Sequence, residues 1–304
     1  MSAGSEHGSL KAIFYALGAN AGIAVAKGFA AWYTNSGAML AEAIHSSADC
    51  ANQGLLLLGL KRAKRAPSEM HPLGYGKAIY FWSFLVALLL FSMGGMFSIY
   101  EGVHKLSHPE MPESPWIAVA VLAVSIVLEY FSLRGALAEI NKVRGAQTLF
   151  RWFRGSRQSE LIVVFGEDLA ALLGLALALL AVLATIATGN PMFDALGTIA
   201  IGTVLILVAI GVGIEVKSLL IGESADPALE AEIEQTLLAG GRVTRVFNMI
   251  TLQLGTDIML SVKAELAGCR TADELIDAIN ASEVELRRRF PQLRWIFFEP
   301  DRYD

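Results

Sequence analysis

The chain has 304 residues, 54% of them hydrophobic and 17% charged, with a mean hydropathy of +0.51. Soluble globular proteins carry about 25% charged residues, so this composition excludes an ordinary soluble domain and points to a polytopic membrane protein with a soluble part. The net charge of −5 comes without any basic domain, which argues against nucleic-acid binding. The two cysteines, Cys50 and Cys269, lie in different segments and suit neither a disulfide framework nor a cysteine metal site.

Residues 1–9 are polar and too short for a cleavable signal peptide. Six apolar segments follow, at about 10–33, 38–60, 78–105, 116–133, 160–187 and 194–219. Each is long enough for a helix to cross a bilayer, which takes about 20 residues. Six spans put both termini on one side. Lys61, Arg62, Lys64, Arg65 and Lys77 follow the second segment. Arg134, Lys142, Arg144, Arg151, Arg154 and Arg157 follow the fourth, whereas the opposite loops hold essentially only Lys105. By the bias of basic residues toward the inside, these loops and both termini are cytoplasmic. A bacterial inner membrane is the expected setting.

Segment one carries Asn20 and Lys27 among small residues that suit close helix packing. Lys27 reads as an ion-pair member, because a cation repels cations. Tyr33 to Gly37 reads as a tight outer turn. Segment two holds Glu42, His45 and Asp49 at membrane depth, where ionisable groups are costly and the default reading is function. His45 and Asp49 are four apart, share one helical face and can grip one ion. Asn52 lies three residues further on that face.

The loop Pro67 to Lys77 has two prolines and two glycines. Glu69 and His71 there form a weak candidate metal site, with a loop staple or helix cap as an equal alternative. Segment three is aromatic at its start and reads as scaffold or dimer interface. His104 and His108 read as ordinary interfacial residues. Glu129, near the end of segment four, reads as the partner of a neighbouring Arg or Lys. Residues 136–158 are amphipathic and basic, as expected of a cytoplasmic linker touching anionic lipid. Segment five opens with Glu167 and Asp168 before a long apolar run without a compensating base. These carboxylates are the natural partners of His45 and Asp49.

After Gly222 the chain turns polar and acidic. A helix over 228–239, strands over 243–255 and 257–266, a helix over 271–289 with Thr271 as N-cap, and a strand from Trp295 to Phe298 give an α-β-β-α-β order. The domains are therefore 1–222, a six-helix transmembrane domain, and 223–304, a small α+β domain with its helices on one face of a sheet. At this size the second domain gains stability by dimerising.

Ala41 to Asp49, His71 to Lys77, Asp168 with Gly174, Leu220 to Glu223, and Glu299-Pro300-Asp301 together resemble the cation diffusion facilitators, a family that includes zinc transporters. The pairs Asn52-Gln53 and Glu167-Asp168 are most similar to the branch containing an animal mitochondrial zinc transporter. The resemblance implies a homodimer, metal/proton antiport and a metallochaperone-like cytoplasmic domain. It implies a membrane site built from segments two and five, and rocking of segments one, two, four and five against three and six. It carries over His45, Asp49 and Asp168 as metal ligands. Two departures stand out. The histidine usual four residues before the segment-five aspartate is Val164 here, and no histidine follows His108, so a histidine-based regulatory site in the C-terminal domain is not expected.

Imidazole with carboxylates suits zinc, and also manganese, iron or cobalt, while the same groups bind protons. Export of a divalent metal from the cytoplasm, with H+ as counter-ion and no resident cofactor, is the leading reading. A non-transporting metal sensor or scaffold is the alternative. No nucleophile–base constellation or phosphate loop suggests an enzyme. Three carried-over ligands leave a tetrahedral ion one short. Glu167, Asn52 and water are the candidates. Glu167 is favoured because an unpaired buried carboxylate is costly, against its other roles as proton acceptor or partner of Lys27.

Overall fold

A computed structural model describes residues 2–34, 37–109, 111 and 115–303. Side chains are described from residue 10 onward except at 30, 31, 33–45 and 48, and at the backbone gaps. The expected turn around Asn35 and Ser36 lies outside the described residues, as do the side chains of Glu42 and His45.

The transmembrane part runs through α1 (Ser2–Thr34), α2 (Gly37–Ala63), α3 (Ala78–Leu89), a π-helical segment (Leu90–Met96), α4 (Phe97–Ser107), α5 (Pro115–Val143), the short α6 (Leu149–Gly155), α7 (Ser159–Thr188) and α8 (Met192–Ile221). Among the described residues, five stretches are long and apolar enough to cross a membrane: Leu10–Phe29, Ala78–Ser107, Pro115–Val143, Ser159–Thr188 and Met192–Ile221. The sixth helix of the bundle is α2, whose middle carries Asp49, Asn52 and Gln53. It packs on α1 and α3. The chain is thus a polytopic α-helical membrane protein with a small mixed domain at its end. Phe29, Phe81, Phe97, Tyr100, Phe131 and Leu207 point outward, as side chains facing lipid do.

Packing sorts the helices. α1 lies against α2 and α5, α5 against α7, and α7 against α8, while α8 also meets α3, the π segment and α4. The buried face of α8 repeats every seven residues through Ala195, Gly202, Ala209 and Val216. Small residues let the backbones approach closely. A Cβ on Gly202 would stand 2.7 Å from the carbonyl oxygen of Gly95, so only glycine fits that crossing. At the end of the bundle near the C-terminal domain, Ile13, Leu56, Tyr80, Ile140, Trp152, Leu161 to Phe165, Val216 and Leu219 form one apolar core.

The basic connection 136–158 differs from the expected lipid-surface linker. Its first residues continue α5 to Val143, because Ala136 and Ile140 still have a core to face. Thr148 then caps α6, accepting from the Arg151 N–H at 3.3 Å, and Trp152 is buried edge-on to Phe165 at 6.3 Å. Arg154 reaches Glu215 on α8 at 2.8 Å.

The C-terminal part follows the expected order closely: α9 (Pro227–Ala239), β1 (Val243–Leu254), β2 (Asp257–Leu266), α10 (Ala272–Arg289) and β3 (Leu293–Pro300). The sheet order is β1-β2-β3, with β1 and β2 antiparallel and β2 and β3 parallel. α10 makes the crossover that a parallel pair requires. Alternate residues of β2, Ile258, Leu260, Val262 and Ala264, are buried with Ile233 and Leu237 of α9 and Leu286 of α10. Thr271 and Glu274 form a reciprocal capping box at the start of α10. Asp301 closes the domain. Its N–H donates to the Ala264 carbonyl at 3.0 Å, and its carboxylate meets Lys263 at 3.1 Å. The Arg302 N–H, then Lys263 and the Tyr303 N–H, hold the Asp301 carboxyl below the usual range.

Candidate metal centre

Three helices bring polar groups together inside the bundle. α2 contributes Asp49, half-buried and itself engaged, then Asn52 and Gln53, both buried. α7 contributes Glu167 and Asp168, of which Asp168 is only 1% exposed. α5 contributes Glu129 and Ser132, each 2% exposed.

Neighbours on a helix point about 100° apart, and this separates the two acidic residues of α7. Glu167 turns toward α2. Its Oε1 accepts from Asn52 Nδ2 at 2.9 Å and its Oε2 from Gln53 Nε2 at 2.6 Å. Asp168 turns toward α5. Its Oδ2 accepts from Ser132 Oγ at 2.9 Å, and its Oδ1 has no hydrogen-bond partner. Glu129, one turn before Ser132, also has a buried carboxylate oxygen, Oε2, without a partner. The charges of Asp168, Asp49 and Lys27 all reach Glu129. The lysine is itself buried.

The expectation that Glu167 is an unpaired carboxylate is therefore corrected. Two carboxamides satisfy both of its oxygens, and Asn52 spends its amide donor on that contact. Gln53, Ser132 and Glu129 were missed as members of this cluster. The pairing of Gln53 with Glu167 across 114 positions leaves no local trace. The α5 stripe does: Ser125, Glu129 and Ser132 recur at four and three residues, one polar face on an otherwise apolar helix. Val164, where the resemblance would place a histidine, is fully buried in the apolar core.

The amide clamp has a measurable consequence. Gln53→Leu removes one donor and leaves a buried carboxylate oxygen unsatisfied. Thermal unfolding in detergent should reveal a loss of about 1–3 kcal/mol. An unchanged melting temperature would mean that the clamp contributes nothing.

Comparison with known proteins decides the family. Residues 13–221 match the cation efflux transmembrane domain, ending at the last residue of α8. The chain belongs to the cation efflux family. It is 34% identical over 230 residues to the mitochondrial proton-coupled zinc antiporter SLC30A9 of Mus musculus, covering 75% of this chain and 41% of that protein. Metal tolerance protein C4 of Arabidopsis thaliana is 35% identical over 201 residues, covering 65% of this chain and 44% of the relative. Magnetosome protein MamB of Paramagnetospirillum magneticum is 33% identical over 116 residues, covering 38% of each. The chain thus spans less than half the length of these mouse and Arabidopsis relatives. Membership places it among transporters rather than enzymes, in a multi-pass membrane protein.

Within this cation efflux protein, no three His, Cys, Asp or Glu side chains among the described residues converge as a metal-holding group. The His45 side chain lies outside them. The two loop candidates, Glu69 and His71, are exposed. Main-chain bonds between Ser68 and His71 at 3.1 and 3.0 Å staple the loop, and the His71 ring lies 4.4 Å from that of Tyr75. These contacts favour the loop-staple alternative at His71.

Proposed function

We propose that the chain is a divalent-metal/proton antiporter, with zinc as its foremost cargo, exporting metal from the cytoplasm by alternating access. One observation carries this reading: Asp168 is buried in mid-bundle with one oxygen fixed by Ser132 and the other open. A buried carboxylate oxygen without a partner is costly unless something cationic visits it. The names of the mouse and Arabidopsis relatives, a proton-coupled zinc antiporter and a metal tolerance protein, support the same class.

His45 and Asp49 of α2 and Asp168 of α7 are the proposed ligands. Imidazole and carboxylate oxygens suit zinc and are also protonatable, so metal entry must displace protons. Competition for one set of atoms, with exposure alternating between the two sides, couples the flows. Glu167 and Asn52 hold each other and set the spacing of α2 and α7. The protein works as a homodimer in a bacterial inner membrane, with residues 1–222 as the transport domain, residues 223–304 as a metallochaperone-like dimerisation domain, and both termini in the cytoplasm. The basic loops support that orientation.

The test is zinc flux in proteoliposomes with a trapped indicator. An imposed pH gradient should accelerate zinc movement and drive protons the other way. Equal zinc rates with and without the gradient, together with no proton flux, would overturn antiport.

A further inference from the structure

We propose that the outward face of α6 binds anionic phospholipid in the leaflet on the side of the C-terminal domain, with Phe150 set among the acyl chains and the guanidiniums of Arg144 and Arg151 on the headgroup phosphate. The inference is independent of the metal site and of what the bundle carries.

α6 lies alongside the spans rather than beyond their ends. Trp152 and Phe153 meet the ring of Phe165 at 6.3 and 6.2 Å, about 9 Å along α7 from its start at Ser159. A Cβ at Gly211 would stand 4.0 Å from the Phe153 ring, about 15 Å before α8 ends at Ile221. α7 and α8 have 30 residues each. Such helices are about 45 Å long, against a hydrocarbon core about 30 Å thick. α6 is therefore level with the boundary between headgroups and acyl chains. It also lies at the rim of the bundle. Its contacts on α8, Gly211 and Glu215, directly follow Ile210 and Ile214, which with Leu207 form an exposed row.

The helix is two-faced. Leu149, Trp152 and Phe153 pack into the core of the bundle. Phe150, Arg151 and Arg154 share the opposite face and are exposed, Phe150 at 77%. At this depth acyl chains cover an outward aromatic ring, and a water-soluble partner does not reach it. Charge then selects the headgroup. Arg154 is answered by Glu215 at 2.8 Å and Lys142 by Glu139 at 2.6 Å. Arg144 bonds neutral acceptors, Asn141 Oδ1 at 2.6 Å and the Gln147 carbonyl at 3.0 Å. The Arg151 side chain makes no hydrogen bond or ion pair among the described residues. Two uncompensated guanidiniums beside an exposed ring fit a phosphate of net negative charge. A zwitterionic headgroup brings its own ammonium and leaves both charges unanswered. The connection as a whole is no lipid-surface linker, but this one face of it meets lipid.

The experiment uses the full chain in phosphatidylcholine vesicles holding a trace of lipid with a photoactivated diazirine on its acyl chain near the glycerol. The probe is phosphatidylglycerol in one arm and phosphatidylcholine in the other, and adducts are mapped by peptide mass spectrometry. An uncompensated basic group near a lipid surface favours anionic lipid about fivefold, so two should favour it at least about tenfold. In the native protein, adducts on residues 149–155 should therefore form at least about tenfold more from the phosphatidylglycerol probe. Arg144→Gln/Arg151→Gln should bring the two probes to near parity while adducts persist, because Phe150 still faces acyl chains. Arg151→Gln alone should fall between, and it keeps the test available if the double variant does not fold. Lys61→Gln/Arg65→Gln removes the same charge from exposed positions elsewhere and should keep the native ratio. Equal yields from both probes in the native protein, or a native ratio in the double variant, would overturn the proposal. So would an absence of adducts on α6, and a cross-link between copies there would show a second protomer covering the face instead.

Discussion

Asp168→Asn should abolish metal transport while leaving the protein folded. In the native bundle Oδ2 accepts from Ser132 and Oδ1 is open. An asparagine can keep its carbonyl toward Ser132, so the hydrogen bond survives. Its NH2 then stands where the open oxygen stood, and a donor replaces an acceptor at the point where a cation would bind. The charge is lost as well. Flux in proteoliposomes should fall more than about 100-fold, beyond the ~10–100-fold that losing a residue behind a metal ligand costs. Thermal unfolding should shift by less than about 1 kcal/mol, because one buried unpaired group replaces another at the same place. Asp49→Ala and His45→Ala should lose transport likewise. Wild-type flux in Asp168→Asn would remove the metal centre from this interface.

How much of this was readable beforehand depends on the range of the interaction. The C-terminal domain was legible almost residue by residue, because its signals are local. Thr271 with Glu274 is a capping box, β2 alternates, and Gly255 turns the hairpin with φ at +71°. The helices of the membrane part were legible from apolar length, but their ends were less so. α5 runs to Val143, because its contacts with the core, not its hydropathy, decide where it stops. The π-helical turns at Leu90–Met96 left no pattern that apolar length could register. In the site, the identity of the acidic residues was plain and their partners were not. Glu167 and Asp168 are adjacent in sequence, yet they face different helices. Which neighbour each meets depends on helix rotation in the bundle, which the local sequence around them does not encode.

Gly76→Ala should uncouple the α2–α3 loop from the C-terminal domain. A Cβ at position 76 would stand 2.0 Å from the carbonyl oxygen of Leu254 and 2.6 Å from its carbon. Real Cβ atoms do not approach that closely, and the obstacle is backbone rather than a flexible side chain. The partner is the tip of the β1–β2 hairpin. It is fixed from several directions: the Gly255 N–H donates to the Tyr80 hydroxyl at 3.0 Å, and Gln253 Nε2 donates to the Gly255 carbonyl at 2.6 Å. The added methyl must push the hairpin off the loop and break the Tyr80 contact. Overpacking of this kind costs about 1–3 kcal/mol, and the lost hydrogen bond about 1 kcal/mol more. The melting temperature in detergent should drop, and a protease should cut the exposed loop at Lys64 and Arg65 faster. Gly213→Ala is the control. Its Cβ would meet nothing within 4 Å, so that helix should gain slightly in stability rather than lose. The same loop begins at the end of α2, the helix that presents Asp49 and Asn52. Freeing it from the domain should therefore also slow zinc flux. If Gly76→Ala melts and is cleaved like wild type, the hairpin does not hold the loop, and the C-terminal domain must be tied to the bundle elsewhere, as through Arg157 and Glu223 at 3.4 Å.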